Sequence, residues 1–198
     1  MYRIFSIDIP PKEDDIANYR SIRLKSLKTN PEAYGSTYER EIAFTTDQWR
    51  SRLDAHDRKT FIAAQTTGST SITETGSIRG EEPREGIWVA TASVITPEML
   101  RKAEIELPAS VDETKTAVYA LVGMWVDPNH RRKGLGRKLI EALVTAVRET
   151  KEDGVRSKLI LLEVHDENEG ARSLYKSLGF TECPGNTEPG QSWMTLFV

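Results

Sequence analysis

Arg131-Arg132-Lys133-Gly134-Leu135-Gly136-Arg137-Lys138 is the stretch that decides how this chain is read. Before it runs an apolar segment, Val118 to Val126, of strand length, closed by the turn signal Asp127-Pro128-Asn129. After it, Leu135, Leu139, Ala142, Leu143, Ala146 and Val147 recur at helical spacing, which predicts an amphipathic helix packed on a sheet. A glycine-rich bend between a strand and a helix start leaves backbone N–H groups without acceptors at the positive end of a helix dipole. Such a bend binds phosphate. Five basic side chains in the eight residues add charge at the same spot.

The bend is not a P-loop, because G-x-x-x-x-G-K-[ST] occurs nowhere in the chain. It is not the dinucleotide fingerprint either, since Leu139 stands where that pattern needs its third glycine. Arg131-x-x-Gly134-x-Gly136, after a strand ending Val126-Asp127-Pro128, resembles the acetyl-CoA pyrophosphate loop of the GNAT family of N-acetyltransferases. A second segment agrees. The strand-like run Lys158 to Val164 is followed by Asn168-Glu169-Gly170-Ala171-Arg172-Ser173-Leu174-Tyr175-Lys176-Ser177-Leu178-Gly179-Phe180, which is similar to the family's N-x-x-A-x-x-L-Y-x-x-x-G-F signature at every defined position. The resemblance is close over about residues 116–183 and extends to the N-terminal half only in layout.

Composition sets the frame. A chain of 198 residues with 38% hydrophobic and 29% charged residues fits one folded domain, 1–198. A net charge of −3 does not advertise nucleic-acid or membrane binding, so the basic loop is a local feature on a mildly acidic body. Cys183 is the single cysteine, which excludes an internal disulfide framework and a thiolate zinc site. His56, His130 and His165 lack ligand spacing, so no metal is expected. With neither a signal-peptide core nor a membrane-length apolar stretch, a cytoplasmic protein is expected.

Along the chain, strands are expected at Ile4–Ile9, Phe61–Gln65, Ile87–Ile95, 117–126, 158–164, Phe180–Cys183 and Trp193–Val198. Helices are expected at 14–28, Thr46–Leu53 (capped by Thr45 or Thr46), Pro97–Ala103, 135–149 and 168–178. The polar stretch Thr66 to Gly86 reads as a mobile loop. The layout is mixed α/β, with a right-handed crossover joining parallel strands at 117–164. The resemblance implies more: a twisted, mostly antiparallel seven-stranded sheet, helices on both faces, and a splayed parallel strand pair that admits the acyl-CoA pantetheine.

It also implies chemistry: transfer of an acetyl group from acetyl-CoA to a primary amine by direct attack. Backbone groups of Met124, Trp125 and Val126 would hold pantetheine and polarise the thioester carbonyl, with Trp125 and Val126 packing as core side chains. The loop 131–136 would take the pyrophosphate through Gly134, Leu135 and Gly136, with Arg131, Arg132, Lys133 and Arg137 as candidate phosphate partners. A side chain at Gly136 is expected to fill the pyrophosphate's space. Tyr175 matches the family tyrosine that protonates the leaving thiolate; by helix spacing alone it is a core tyrosine. Asn168 is an N-cap by position and, by resemblance, also a pantetheine or water contact. Glu163, twelve residues before Tyr175, is the candidate base, expected to be partly desolvated and raised in pKa. Glu39 and Glu41 are weaker candidates, and a surface glutamate is the plain alternative for Glu163. His130 and His165 are read as solvent-facing turn residues. The acceptor, whether a small amine, a protein N-terminus or a lysine, and the choice of monomer or homodimer stay open. Two rivals remain: a catalytically inactive acyl-CoA-binding sensor or interaction module, and a nucleic-acid binder, which the lack of a wider basic face disfavours.

Overall fold

The computed structural model describes residues 1–66, 86–108, 110–152, 154, 156–185 and 189–198. One seven-stranded sheet runs in the order β1-β2-β3-β4-β5-β7-β6. Its strands are β1 (Tyr2–Ser6), β2 (Arg58–Gln65), β3 (Ile87–Ile95), β4 (Thr116–Val126), β5 (Ser157–His165), β6 (Thr181–Cys183) and β7 (Gln191–Phe197). The helices are α1 (Glu13–Thr29), α2 (Tyr38–Ile42), α3 (Thr46–Leu53), α4 (Pro97–Lys102), α5 (Leu135–Glu149) and α6 (Glu169–Ser177). Only β4 and β5 are parallel; every other adjacent pair is antiparallel.

Strand alternation sorts the core into two faces. One face buries Phe61, Ala63, Tyr119, Ile160 and Leu162 under α5 and α6. Leu139, Ile140 and Leu143 of α5 are wholly buried there, each contributing on the order of 1.5–3 kcal/mol of transfer free energy. On the other face α1 and α3 cover Ile62, Ala64, Trp88 and Trp125. Further along that face, α4 contributes Leu100 over Ile95, Val118, Ala120 and Leu161.

The β4–β5 pair opens into a wedge. Pairing runs in register from Thr116–Ser157 to Ala120–Leu161 and then stops, although both strands continue. Beyond that point β4 keeps only β3, and β5 keeps only β7. The cause lies in β4, where Val122 to Trp125 spans three steps against the two from Ser93 to Thr91. Gly123, at φ +63°, absorbs the extra residue as a bulge, a conformation that costs a glycine little.

Several boundaries differ from the sequence expectations. The first strand lies earlier than Ile4–Ile9 because β2 fixes its ladder, from Tyr2–Gln65 to Ser6–Phe61. Helix α2 was not anticipated; five residues are too few to show a period, and its only cap is Thr37, whose hydroxyl accepts from Arg40 N at 3.2 Å. Of the two threonines offered as cap for α3, it is Thr45, in a reciprocal box with Gln48 (3.2 and 2.8 Å). Of the polar stretch Thr66 to Gly86 read as a mobile loop, 67–85 lie outside the described residues. Among the described residues no helix is long and apolar enough to cross a membrane, and no group of His, Cys, Asp and Glu could hold a metal ion.

Candidate active site

The basic loop stands at the mouth of the wedge, between β4 and α5. The first bond closed at the start of α5 is Lys138 N to Gly134 O (3.1 Å), so the N–H groups of Leu135, Gly136 and Arg137 have no intrahelical acceptor. Gly134 at φ +75° and Arg132 at φ +61° are left-handed, which curls the loop's N–H groups inward. A Cβ at Gly134 would meet nothing within 4 Å, so its backbone conformation alone demands glycine. Gly136 differs from expectation. A Cβ there would point to Leu174 Cδ2 (2.9 Å) and Met124 Cε (3.1 Å), beneath the loop rather than into the space for a phosphate. This glycine lets α5 approach β4 and α6 closely.

The basic side chains divide by what they already hold. Arg131 Nε donates to Val126 O (3.0 Å) and its Nη2 to Asn30 Oδ1 (2.8 Å). Lys133 Nζ donates to Tyr2 Oη (3.2 Å) and Asn129 O (3.1 Å). Arg137 Nη2 donates to Ser177 Oγ (2.8 Å), tying α5 to α6. All three brace the loop, and Arg132 is the exposed cation of the four that no such contact engages among the described residues. Leu135 contributes its backbone only, its side chain being buried in the core.

On the β4 side, Asp127 N–H donates to Val89 O (2.8 Å), so strand alternation turns the backbone groups of Val126 toward the wedge. Trp125 is buried on the α1 face, donating from Nε1 to Asn30 Oδ1 (3.2 Å). Met124 and Val126 are half-buried against the α5 core. Asp127 is buried and ion-paired to Lys25 of α1, which anchors the strand's end.

Tyr175 sits on α6 with its ring against Phe180, centroids 5.6 Å apart, and is 5% exposed. Burial, with a smaller contribution from nearby Tyr34, pushes its phenol above the ordinary value. It therefore holds its proton at neutral pH. Asn168 is the N-cap of α6, its Oδ1 accepting from Ala171 N at 3.2 Å. The helix stops in a Schellman arrangement, with Phe180 N to Tyr175 O (3.1 Å), Gly179 N to Lys176 O (3.0 Å) and Gly179 at φ +91°.

The carboxylates separate clearly. Glu163 lies opposite Trp193 of β7, on the face of Leu161, but it is exposed, so the expected desolvation is absent. Glu39 is exposed on α2. Glu41 is wholly buried and clamped: Arg23 donates at 2.9 and 2.7 Å, Arg52 at 2.7 and 3.4 Å. Burial alone would raise its carboxyl, but those hydrogen bonds and charges outweigh it and hold it at about 2. A group so acidic and so fully engaged is a structural anion, which removes Glu41 from the candidate bases. His130 and His165 are half-buried rather than solvent-facing, and His130 Nδ1 lies 2.9 Å from Tyr2 Oη.

The segment after α1 also borders the site. The connection after α1 crosses the wedge mouth: Asn30 is bound to Trp125 and Arg131 on the β4 side. Glu32 is held below its ordinary value, chiefly by Asn30 Nδ2 (3.0 Å), with smaller contributions from His165 at the end of β5 and from Arg131. Tyr34 follows, near Tyr175. The segment carries a helix-breaking signal, Asn30-Pro31, and no recognised motif.

This geometry can be set beside known proteins. Over 63 residues the chain is 44% identical to the [Ribosomal protein bS18]-alanine N-acetyltransferase of Escherichia coli K12, covering 32% of this chain and 39% of that protein. The match thus spans well under half the length of that relative. The fold is similar to that of Arabidopsis thaliana NAA60 in complex with acetyl-CoA (TM-score 0.59, 13% identity, 100% of this chain and 99% of that one). It is similar too to a GNAT-family acetyltransferase from Streptococcus pneumoniae (TM-score 0.61, 15% identity, 100% of both chains). The family description "Acetyltransferase (GNAT) family" matches residues 28–180, from the end of α1 to the end of the Tyr175 motif, and the chain belongs to that family.

Proposed function

We propose that this chain is an acetyl-CoA-dependent N-acetyltransferase in which a primary amine attacks the thioester directly. The observation that carries the reading is the wedge: β4 and β5 part after Ala120 and Leu161, with unpaired helix N–H groups at its mouth and a buried phenol beside it. The N–H groups of Leu135, Gly136 and Arg137, with Arg132, suit a pyrophosphate. The edge of β4 at Met124–Val126 suits the pantetheine amides and the thioester carbonyl, where one well-placed donor contributes ~3 kcal/mol to the transition state.

The amine nitrogen bonds to the carbonyl carbon and the C–S bond breaks. The thiolate takes a hydrogen bond or proton from Tyr175, and the ammonium loses a proton through water to Glu163. Glu163 shares a face with Leu161 at the open side of the wedge, and its exposure suits a water-mediated path. A protein N-terminus is the acceptor class suggested by the relative that acetylates a ribosomal protein alanine. A cytoplasmic setting fits the same substrate class.

The test is free-thiol release from acetyl-CoA with a panel of small amines, lysine peptides and N-terminal peptides. Release with at least one acceptor is expected. Tight binding of acetyl-CoA without release for any acceptor would identify the inactive sensor instead.

A further inference from the structure

Five buried side-chain atoms lack a hydrogen-bond partner among the described residues: Tyr34 Oη, Trp49 Nε1, Arg58 Nε, Trp88 Nε1 and Thr91 Oγ1. All belong to the face covered by α1 and α3, and none to the α5 and α6 face. Buried polar atoms are paired in the great majority of cases, so this face holds polar groups that the described residues do not pair.

Arg58 is the most costly of the five because it carries charge. It opens β2 and shares a face with Thr60, whose hydroxyl bonds Ser93 Oγ at 2.8 Å on the sheet floor. Around it stand Tyr19, Arg23 and Arg52. The carboxylate of that cluster, Glu41, is saturated, each oxygen accepting from both Arg23 and Arg52. Asp57, next in the chain, has Lys102 Nζ at 3.5 Å. Arg58 itself makes no ion pair among the described residues. Burial is the chief influence lowering its pKa, with the Arg52 and Arg23 charges adding to it against the opposing Tyr19 and Asp57, and the guanidinium stays protonated. Three guanidinium groups thus stand around one fully used carboxylate, with Asp57 the further anion acting on Arg58, and buried cations are ordinarily paired.

Position gives this cation a use. Arg58 pairs with Ile95, and Ile95 with Ala120, the last β4 residue before the wedge opens. At about 4.8 Å per strand, Arg58 stands roughly 10 Å from β4, on the face that Glu163 shares. Arg58 is half-buried as a residue, with its Nε sealed from solvent.

We propose that Arg58 is a specificity-determining residue that receives a carboxylate of the acceptor, several bonds from the amine that is acetylated. This rests on the acetyltransferase reading. The acceptor class is an amine with a remote anion, such as a peptide N-terminus followed closely by an acidic residue.

The test uses the full chain and paired peptides with Glu or Gln at the second and third positions. The wild type should prefer the Glu peptides by about tenfold or more in kcat/KM, the scale of a hydrogen bond to a charged group. In Arg58→Gln that ratio should fall toward one, with the loss in the KM of the Glu peptides. Melting temperature should hold or rise, because an uncompensated buried cation has been removed. No Glu preference in the wild type, or an equal loss toward both peptides with a lowered melting temperature, overturns the proposal. Calorimetric titration with glutarate decides separately from turnover: binding weakened about tenfold in Arg58→Gln supports the site. Undetectable or unaltered glutarate binding overturns it. If the wild type acetylates nothing, the acetyltransferase reading falls and the glutarate result alone judges Arg58.

Discussion

Replacing Glu41 with Gln should cost this protein several kcal/mol while leaving the chemistry of proton removal in place. Glu41 is wholly buried and accepts four hydrogen bonds from Arg23 and Arg52, joining α1, α2 and α3. Breaking a buried ion pair by removing one partner typically costs about 3–5 kcal/mol. Titration gives a second route to the magnitude. With the carboxyl at about 2 in the fold against an ordinary 4.5, the difference corresponds to about 3 kcal/mol at neutral pH. Because the folded value is depressed, this stability is complete above pH ~4.5 and is lost as pH falls toward ~2, with about 2 kcal/mol gone by pH 3. For a chain of this size, 3 kcal/mol corresponds to a melting shift of roughly 6–12 °C. Urea unfolding of wild type and Glu41→Gln at pH 7 and pH 3 reads both effects: a gap near 3 kcal/mol at pH 7 should narrow to about 1 at pH 3. A gap below ~1 kcal/mol at pH 7, or one that does not change with pH, would refute the reasoning. A normal melting temperature with a changed pH–rate profile would return Glu41 to the candidate bases.

The other expectations are shorter. Tyr175→Phe keeps the packing on Phe180 and removes the hydroxyl, so kcat should fall by roughly 10²-fold with little change in KM for acetyl-CoA, measured by thiol release. Gly134→Val forces a β-branched residue to φ +75°; acetyl-CoA affinity should fall, and stability by about 1–2 kcal/mol, read by calorimetry and urea unfolding. Glu163→Gln should slow the reaction most at neutral pH and be partly rescued near pH ~9, where an α-amine of pKa ~8 is already neutral. A uniform loss across pH would assign Glu163 to positioning.

What could be read from the chain divides by the kind of group doing the recognising. Backbone recognition needs glycines and helix starts at fixed spacing, so the loop at Gly134 and the whole of α5 were legible, the helix to the residue. The Schellman stop at Gly179 follows the same rule, a glycine just past a helix end. The wedge was expected only through the family resemblance, since no local pattern marks it: it depends on a bulge at Gly123 that shows in the register of β3 against β4. Gly136 lies in the first turn of α5 and was given the wrong neighbour, because the direction of an absent side chain is set by how α5 sits on Leu174 and Met124. The polar cluster was least visible of all. Arg23, Glu41, Arg52 and Arg58 come from three helices and a strand, and no local pattern distinguishes a buried arginine from a surface one before the fold brings them together.

Under the proposed mechanism, the environments of Tyr175 and Glu163 also constrain how the proton moves. A thiolate has a reference pKa of ~8.5 and a phenol ~10, and burial pushes Tyr175 higher still. Full transfer from Tyr175 would therefore run uphill by more than about 2 kcal/mol and leave a buried phenolate with no hydrogen-bond donor of its own among the described residues. Donation of a hydrogen bond to the departing sulfur avoids that cost. A bond to a charged group contributes about 1.5–3 kcal/mol, or roughly 10–150-fold in rate, which brackets the loss expected for Tyr175→Phe. On this account the net proton reaches the thiolate from solvent after departure, and the ammonium's proton leaves by way of exposed Glu163. The burst of thiol should then carry a small solvent isotope effect at the Tyr175 step. A large one, abolished in Tyr175→Phe, would show instead that the phenol gives up its proton in the transition state.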